Sequence, residues 1–232
     1  MMTRTRRSWI RSIGALFLAA ILVGLAGGAL AAKAADSPSA TITFRKVFKS
    51  SYPEFVEIKL NQSGSGTYDI RQLDEAAKPE PFQVGAELAQ KIFELAAKLH
   101  DFQGVDLEVH KRLASLGQKT FRYEDGSETH EITFNYTLDP TGTELANLFE
   151  NLSRQETDLS DLTRTMRYDR LGVNDVVGQI ESDYDGKLLP EPERFLSSLD
   201  QVAADTKFID IARDRARKLA DRIRAASQTA AR

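Results

Sequence analysis

The sequence has no cysteine, one tryptophan and three histidines among its 232 residues. The absence of cysteine excludes disulfides, thiolate metal ligands, a cysteine nucleophile and a lipid-modified N-terminal cysteine. Histidine is the usual proton shuttle near neutral pH, and only His100, His110 and His130 are available for that role. The single tryptophan, Trp9, lies in an N-terminal segment that is predicted to be removed. Residue types on which many enzymes depend are therefore scarce or missing.

The first 34 residues have the order of a secretory signal peptide. Four arginines precede an apolar run over 13–32, and small residues follow with two Ala-x-Ala cleavage signals that end at Ala31 and Ala34. We therefore predict a signal peptide over 1–34 and an exported bacterial protein, periplasmic or extracellular. Residues 35–40, ADSPSA, are predicted to be a linker.

Two alternatives for this segment stay open. About 20 apolar residues can span a bilayer, so residues 13–32 could be retained as an inner-membrane anchor, which would then be the membrane contact of the protein. The run is rich in Ala and Gly rather than Leu, which favours cleavage. The pair Arg6-Arg7 resembles the twin-arginine export signal, and it also fits the basic start of a general secretory signal.

Negative charge dominates the chain that would remain after cleavage. Removal of residues 1–34 takes away five positive charges and no negative ones, which moves the formal net charge from −3 to −8. An acidic chain is poorly suited to hold nucleic acid or an anionic membrane by bulk charge. We therefore expect no nucleic-acid partner.

Residues 41–138 are predicted to form an α+β domain. Alternating apolar and polar residues over 41–73, interrupted by the turn-like NQSGSG, predict a three-stranded antiparallel meander. Asp125-Gly126 marks a hairpin between two further strands, because glycine accepts a positive φ at little steric cost. A polar connection over 74–83 and an amphipathic helix separate the two units, which gives an antiparallel sheet of about five strands packed by a helix. The apolar stripe of that helix consists of Leu88, Ile92, Leu95, Leu99 and Phe102.

Residues 140–227 are predicted to form a long antiparallel helical hairpin. Apolar residues recur at steps of three and four in two stripes, over 145–180 and 195–223, which is the pattern of a heptad seam. A short polar stretch around Lys187 supplies the turn. The last residues, 228–232, are predicted to be a disordered tail.

Details of this hairpin lead to three further expectations. A break at Gly172 or Asp205 would divide either arm into two helices. Folding back near Lys187 would place the basic residues of the second arm opposite a group of acids in the first. An exposed seam would also support self-association. The acids that would face the basic residues of the second arm are Glu150, Glu156, Asp158 and Asp161.

The stretch ESDYDGKLLPEPE between the arms carries the candidate metal ligands. Glu181, Asp183 and Asp185 correspond to the first, third and fifth positions of a calcium loop, and Gly186 follows at the sixth. The first position should be Asp, and the twelfth, which should be a bidentate Glu, is Pro192. A solvated hairpin turn is the alternative.

Other patterns that carry catalysis elsewhere fit structural roles here. HEITF, around His130, lacks the second histidine of a zinc-protease helix and lies in a predicted strand. QSGSGT is not followed by Lys-Ser/Thr and precedes no helix, so it is interpreted as a hairpin turn rather than a phosphate loop. We therefore predict structural roles for all three histidines, no catalytic residue and no cofactor.

The stretch SSYPEFVEIKLNQSGSGTYDI, residues 50–70, resembles a class of uncharacterised domains in exported bacterial proteins. In that class a Cys-x-x-Cys-Pro start leads into an aromatic strand and then into a Gly-x-x-Tyr return strand. Pro53, Phe55, Gly66 and Tyr68 match in order, whereas serines such as Ser51 stand in place of the cysteines. The resemblance implies no activity.

The function is therefore inferred mainly from exclusions. We hypothesise a non-catalytic envelope module that binds or scaffolds an unknown protein partner, or that self-associates through the helical hairpin. The alternative is a periplasmic hydrolase with paired carboxylates, because folding can bring together acids that are distant in sequence.

Overall fold

A six-stranded antiparallel sheet forms the first half of the computed structural model, which describes residues 39–230. The strands lie in the order β4-β3-β2-β1-β5-β6, and each pairs with its neighbours in antiparallel register. The first three form the predicted meander, and the last two form the hairpin predicted around Asp125-Gly126. The strands are β1 Thr41–Val47, β2 Phe55–Asn61, β3 Ser65–Arg71, β4 Glu80–Gln83, β5 Gln118–Asp125 and β6 Glu128–Phe134.

Alternation along the strands places one face of the sheet in the core. Phe44 on β1 lies opposite Ile58 on β2 and Phe121 on β5, and all three side chains are fully buried. Successive residues of a strand point to opposite faces. Arg45 accordingly lies on the other face, where it pairs with Glu57 at 2.7 Å. The face that carries Phe44 is the one that the helices cover.

The sixth strand comes from a segment that was predicted to be a connection. Residues Glu80–Gln83 form β4 and pair with β3 at one edge of the sheet. Pro81 is tolerated there, because an edge strand can leave a backbone position without a donor. Phe82 packs edge-on against Tyr68, with 6.0 Å between ring centroids, which attaches the strand to the core.

Helix α1, Ala86–Lys98, and a 3-10 turn at His100–Phe102 cover part of the buried face. Phe102 stacks on Phe121, with 5.2 Å between ring centroids. Residues 103–117 form turns and irregular structure. The predicted stripe is buried at Ile92, Leu95, Leu99 and Phe102.

Within residues 39–230, four α-helices and a 3-10 turn at Pro192–Phe195 follow the sheet, and the combination confirms the predicted α+β class. The first predicted arm is divided into two helices at Gly172, and the second is divided near Asp205. Both are positions at which a break was predicted. The last helix continues through 228–230, so the beginning of the predicted disordered tail is helical instead. The helices are α2 Pro140–Tyr168, α3 Val173–Asp185, α4 Leu196–Ala204 and α5 Asp210–Ala230.

Within each predicted arm the two helices fold back on each other. Arg154 near the middle of α2 pairs with Asp183 near the end of α3, at 3.4 Å. Asp200 of α4 pairs with Arg224 near the end of α5, at 2.5 Å. Each pair of helices is therefore antiparallel, so the predicted arms are two short hairpins rather than two long rods.

The basic residues of α5 face other acids than those expected from the sequence. Arg215 and Arg222 both pair with Glu181 of α3, and Arg222 also contacts Asp185. The acids over 150–161 of α2 were the expected partners, and this expectation was wrong. Because α3 folds back along α2 and lies beside α5, the acids of α3 form the ion pairs with these arginines.

Helix α2 belongs to two hydrophobic cores. Its first half packs on the sheet, where Phe149 stacks on Phe44 with 5.2 Å between ring centroids. Its second half, from Leu162 onward, packs with the other helices. Between Leu152 and Leu162 the helix buries polar side chains, which are costly to bury without partners. These are Gln155, Glu156 and Asp158.

The predictions for the N-terminus lie outside the described residues. They are the signal peptide over 1–34, its alternative as an anchor over 13–32, the twin-arginine pair, and most of the linker over 35–40. Of that linker, Ser39 and Ala40 are described, and they precede β1 without regular structure. Within residues 39–230, every helix is too short or too polar to cross a bilayer.

Candidate functional site

An open space of about 530 Å³ lies where the sheet meets α2 and α3, and it is named the cleft. One wall comes from the loop over 48–54 and from β3, with Phe48, Tyr52 and Tyr68. The other wall comes from α2 and α3, with Asp158 among its residues. A cleft of this volume fits a small molecule or a short segment of a larger one.

Helix α2 presents a polar face to the cleft. Side chains three and four positions apart lie on the same side of a helix. The two ends of α2 are held in different cores, so this face is fixed against both the sheet and the other helices. The cleft-lining residues with this spacing are Glu150, Ser153, Arg154, Thr157, Asp158 and Asp161.

Two carboxyl groups meet in the wall of the cleft, Asp158 from α2 and Asp183 from α3. Asp158 is 8% exposed and Asp183 is 4% exposed. Burial, the charge of Asp183 and a hydrogen bond between the two groups raise the pKa of Asp158 to about 7, while Arg154 opposes the shift and Asp161 adds to it. Two carboxylates in contact cannot both ionise without a cost, so below neutral pH the pair holds a proton.

The oxygen Oδ2 of Asp158 is buried and has no hydrogen-bond partner among residues 39–230. Asp183 has both oxygens engaged: Oδ1 accepts from Nη1 of Arg154 at 3.4 Å, and Oδ2 accepts from Nε2 of Gln179 at 2.9 Å. Buried carboxylate oxygens are nearly always hydrogen-bonded in folded proteins. Asp158 is therefore the first candidate for a group that contacts a ligand.

The three cationic side chains that line the cleft already contact carboxylates. Lys46 lies 3.1 Å from Glu150, and Arg154 lies 3.4 Å from Asp183. Arg71 pairs at 3.0 Å with an aspartate of the same strand. A ligand therefore meets cations that are partly neutralised.

The loop over 48–54 gives the cleft an aromatic rim. Tyr52 is 92% exposed, and Phe48 is partly buried. The backbone N–H of Phe48 donates to the carbonyl of Glu54 at 2.8 Å, and the hydroxyl of Ser51 donates to the carbonyl of Phe48 at 2.6 Å. A large exposed ring on a hydrogen-bonded loop is available to stack on a ligand.

On the opposite side of α2, an ion pair and hydrogen bonds join the helix to neighbouring elements. Both oxygens of Glu156 accept from Arg194. Burial raises the pKa of Glu156, and the hydrogen bond and charge of Arg194 oppose that shift. Glu191 accepts from the backbone N–H of Gly85 at 2.6 Å and donates its own backbone N–H to Gln155 at 2.8 Å. These contacts connect the sheet to the helices behind the cleft.

The three predicted metal candidates do not converge. Residues Val173–Asp185 form α3 rather than a calcium loop, so Glu181 and Asp185 share one face of a helix and Asp183 lies on another. Glu181 and Asp185 pair with arginines of α5, whereas Asp183 faces α2. Within residues 39–230, no group of three or more His, Asp or Glu side chains is arranged to hold a metal ion.

The three histidines lie outside the cleft, among the described residues. His100 is exposed in its 3-10 turn. His130 stacks on Tyr123, with 6.4 Å between ring centroids. Nε2 of His110 lies 2.7 Å from Oδ2 of Asp106, and this hydrogen bond raises the pKa of His110. The structural roles of the three histidines stay a prediction.

In the sequence, Asp158 and Asp183 carry separate predictions, and no pattern pairs them. Asp158 was one of the acids expected to face α5, and Asp183 was a candidate calcium ligand. Their contact depends on the turn between α2 and α3, at 169–172, which a short sequence window does not show. The available signal was the row of polar residues at helical spacing on α2. A comparison of the chain with models of protein families and with curated proteins found no match.

Proposed function

We propose that this protein is an exported bacterial envelope module that binds a ligand in the cleft without transforming it. The cleft carries this proposal, because it is a preformed space of about 530 Å³ between two fixed walls. It combines an exposed aromatic ring and apolar side chains with polar groups, among them the buried Asp158 and Asp183.

The engagement of Asp183 favours binding over catalysis by a pair of carboxylates. A general acid or base must come within hydrogen-bond reach of the substrate or of a water molecule. Both oxygens of Asp183 are held by Arg154 and Gln179, so only Asp158 of the pair has an oxygen left for a ligand. The pair thus fits a role in joining two helices and receiving one contact from the cleft.

A carboxylate-based hydrolase is the second candidate, and the same two groups favour it. Hydrolases can use two acids whose surroundings separate their pKa values. A broad screen with ester, peptide and glycoside substrates distinguishes the two proposals. Turnover that disappears in Asp158→Asn and in Asp183→Asn, with unchanged circular dichroism, would contradict the binding proposal and support the hydrolase. Absence of turnover in the wild type supports the binding proposal.

Export is proposed from the order of charged, apolar and small residues over 1–34. The test is the intact mass and N-terminal sequence of the protein from soluble and membrane fractions of an expressing bacterium. A soluble form that begins near Ala32 or Ala35 supports cleavage and a periplasmic or extracellular location. A membrane-bound form that keeps Met1 supports the anchor over 13–32 instead.

A protein partner or a second copy remains part of the proposal, although the heptad seam cannot serve as the contact. The seam is buried inside the helical core, for example at Leu162, Ile180, Leu199 and Ala216. Large apolar side chains are exposed instead around the α2–α3 and α4–α5 connections. Light scattering at rising concentration tests self-association, and a strict monomer would count against it. The exposed apolar side chains around the α2–α3 and α4–α5 connections are Tyr168, Leu171, Ile209 and Ile211.

Two variants on α2 test whether ligands bind in the cleft. Ser160→Trp places an indole at the exposed rim, whereas Thr163→Trp places one at an exposed position outside the cleft. Cationic, anionic and neutral small molecules are screened against both by NMR. Binding that is lost only in Ser160→Trp supports the proposal. Binding that survives in both variants, or no binding of any probe to the wild type, contradicts it.

A further inference from the structure

We infer that the cleft binds an alkylammonium group, with the carboxylate of Asp158 as its counter-ion. This inference rests on the proposed function, because it names the class of ligand for the same cleft. The amine could belong to a lysine-like side chain of a peptide or to a free polyamine, since both present the same charged group on a methylene chain.

The buried oxygen Oδ2 of Asp158 is the first observation, because it has no partner among residues 39–230 and Asp158 lines the cleft. An ammonium group presents three N–H donors, one of which would donate a hydrogen bond to this oxygen. Hydrogen bonds between ionised partners are stronger than those between neutral ones. The ligand would take over the place of the proton that the acid pair holds in the empty cleft.

An excess of carboxylates is the second observation. Six carboxylates and three cationic side chains line the cleft, and each of those cations already contacts a carboxylate. An anionic ligand would have to displace one of these ion pairs while facing the remaining acids. Acids concentrated in a concave space with few free cations attract positive charge.

The other acids of the cleft are already engaged, which favours an organic cation over a metal ion. Asp161 pairs with Arg164 at 2.8 Å. Glu54 accepts the backbone N–H groups of Ser50 and Leu73. A calcium ion takes roughly six to eight oxygen ligands. The single oxygen that Asp158 offers suits one N–H donor better.

Aromatic and apolar side chains supply the third observation. Tyr52 at the rim is exposed, and a cation within about 6 Å of such a ring is attracted to its face. Phe48 and Val56 line the same space, where methylene groups of an alkyl chain can pack. The cleft therefore offers contacts to both the charged and the apolar part of an alkylammonium ligand.

Calorimetry on the protein purified from bacteria that express the full-length gene tests this inference. The probes are Nα-acetyl-lysine amide and 1,5-diaminopentane, and Nα,Nε-diacetyl-lysine amide is the uncharged analogue of the first. We expect saturable binding of an amine probe. It should be at least about tenfold weaker for the uncharged analogue and for Asp158→Asn, because the charge-assisted hydrogen bond is lost. Tighter binding of the lysine amide indicates a peptide source, and tighter binding of the diamine indicates a polyamine.

Proton release is the second readout. Asp158 must lose its proton before it can pair with an ammonium group, so the binding enthalpy should depend on the ionisation enthalpy of the buffer. The affinity should rise by about thirtyfold between about pH 5.5 and about pH 8, following the ionised fraction of a group whose pKa is about 7. Arg154, Asp161 and Asp183 are the charged groups that face Asp158. The other charged residues of the cleft are Lys46, Glu54, Arg71, Glu75 and Glu150.

The outcomes separate this inference from the proposed function. Asp214→Asn, at an exposed acid of α5 outside the cleft, is the matched control and should bind as the wild type does. If only neutral or anionic probes bind, and Ser160→Trp abolishes that binding, the inference is overturned and the proposed function stands. If no probe of any class binds, both fail. Amine binding that Asp158→Asn does not weaken, or that releases no proton, also overturns the inference.

Discussion

Asp158 of α2 and Asp183 of α3 bring two carboxyl groups together at the level where α2 passes from the sheet core to the helical core. Both side chains are buried, and both line the cleft. Because each partner is an acid, their contact needs a proton. The packing of α3 on α2 and the ligand affinity of the cleft therefore depend on the ionisation of the same group.

The substitution Asp158→Asn should remove a pH dependence of stability. The fold raises the pKa of Asp158 from 3.8 to about 7, so between these values the folded protein binds more protons than the unfolded protein. The stability that this group contributes is full below about pH 4 and is lost as the pH rises to about 7. Asparagine does not titrate and keeps an N–H donor for Asp183. In urea titrations, the free energy of unfolding of the variant relative to wild type should rise by about 2 to 4 kcal/mol between about pH 4 and pH 8.

Asp214→Asn on α5 is the control for this pH dependence, because that acid is exposed and pairs with Arg217 at the surface. Its free energy of unfolding relative to wild type should stay nearly constant over the same range. A constant difference for Asp158→Asn as well would show that another group holds the proton.

Arg194→Met should destabilise the protein more than the double substitution Arg194→Met/Glu156→Gln. Both oxygens of Glu156 accept from Arg194, so the single variant leaves a buried carboxylate without its cation. We expect a loss of about 3 kcal/mol or more at neutral pH, and a smaller loss at acidic pH, where the carboxylate is protonated. The double variant removes the charge and should recover part of the loss. Equal free energies of unfolding for the two variants would show that the ion pair is not what satisfies Glu156.

The local parts of this fold could be predicted from the sequence, and the parts that depend on long-range packing could not. Strands such as β1 follow from alternation, because each residue's burial is set by its face of the sheet. The edge strand β4 was missed, because a segment that contains Pro81 is typical of a connection. Only the pairing of this segment with β3 makes it a strand. The cleft was missed for a similar reason. Asp158 and Asp183 belong to different helices, and only the turn at 169–172 brings them together.

Gly66→Ala should weaken the pairing of β2 and β3. A Cβ atom at this position would lie 2.1 Å from the carbonyl oxygen of Lys59 and 2.8 Å from the ring of Phe82. The first of these contacts is with backbone, so the strands would have to separate, and we expect a loss of about 3 kcal/mol or more. Gly126→Ala is the comparison: it has a positive φ of 56° but no atom within 4 Å of the added Cβ, which should cost only about 1 to 2 kcal/mol. Similar melting temperatures for the two variants would contradict the close approach at Gly66.

A fragment that ends at residue 138 should not fold, although it contains the whole sheet. Phe149 of α2 stacks on Phe44 and lies 6.2 Å from Phe121 between ring centroids, so without α2 the centre of the core is uncovered. In the full-length protein, Phe149→Ala should cost about 3 to 5 kcal/mol.

The matched fragment, 39–153, adds the turns of α2 that carry Leu145, Phe149 and Leu152 and stops before the polar residues of α2. Its amide NMR spectrum should be dispersed, whereas that of 39–138 should not. A dispersed spectrum for 39–138 would show that the sheet and α1 suffice as a domain, and that α2 belongs with the helices alone. Dispersion restricted to 39–153 would instead show that the first half of α2 is part of the sheet's own core, and that the cleft lies where one helix passes between two separately packed halves.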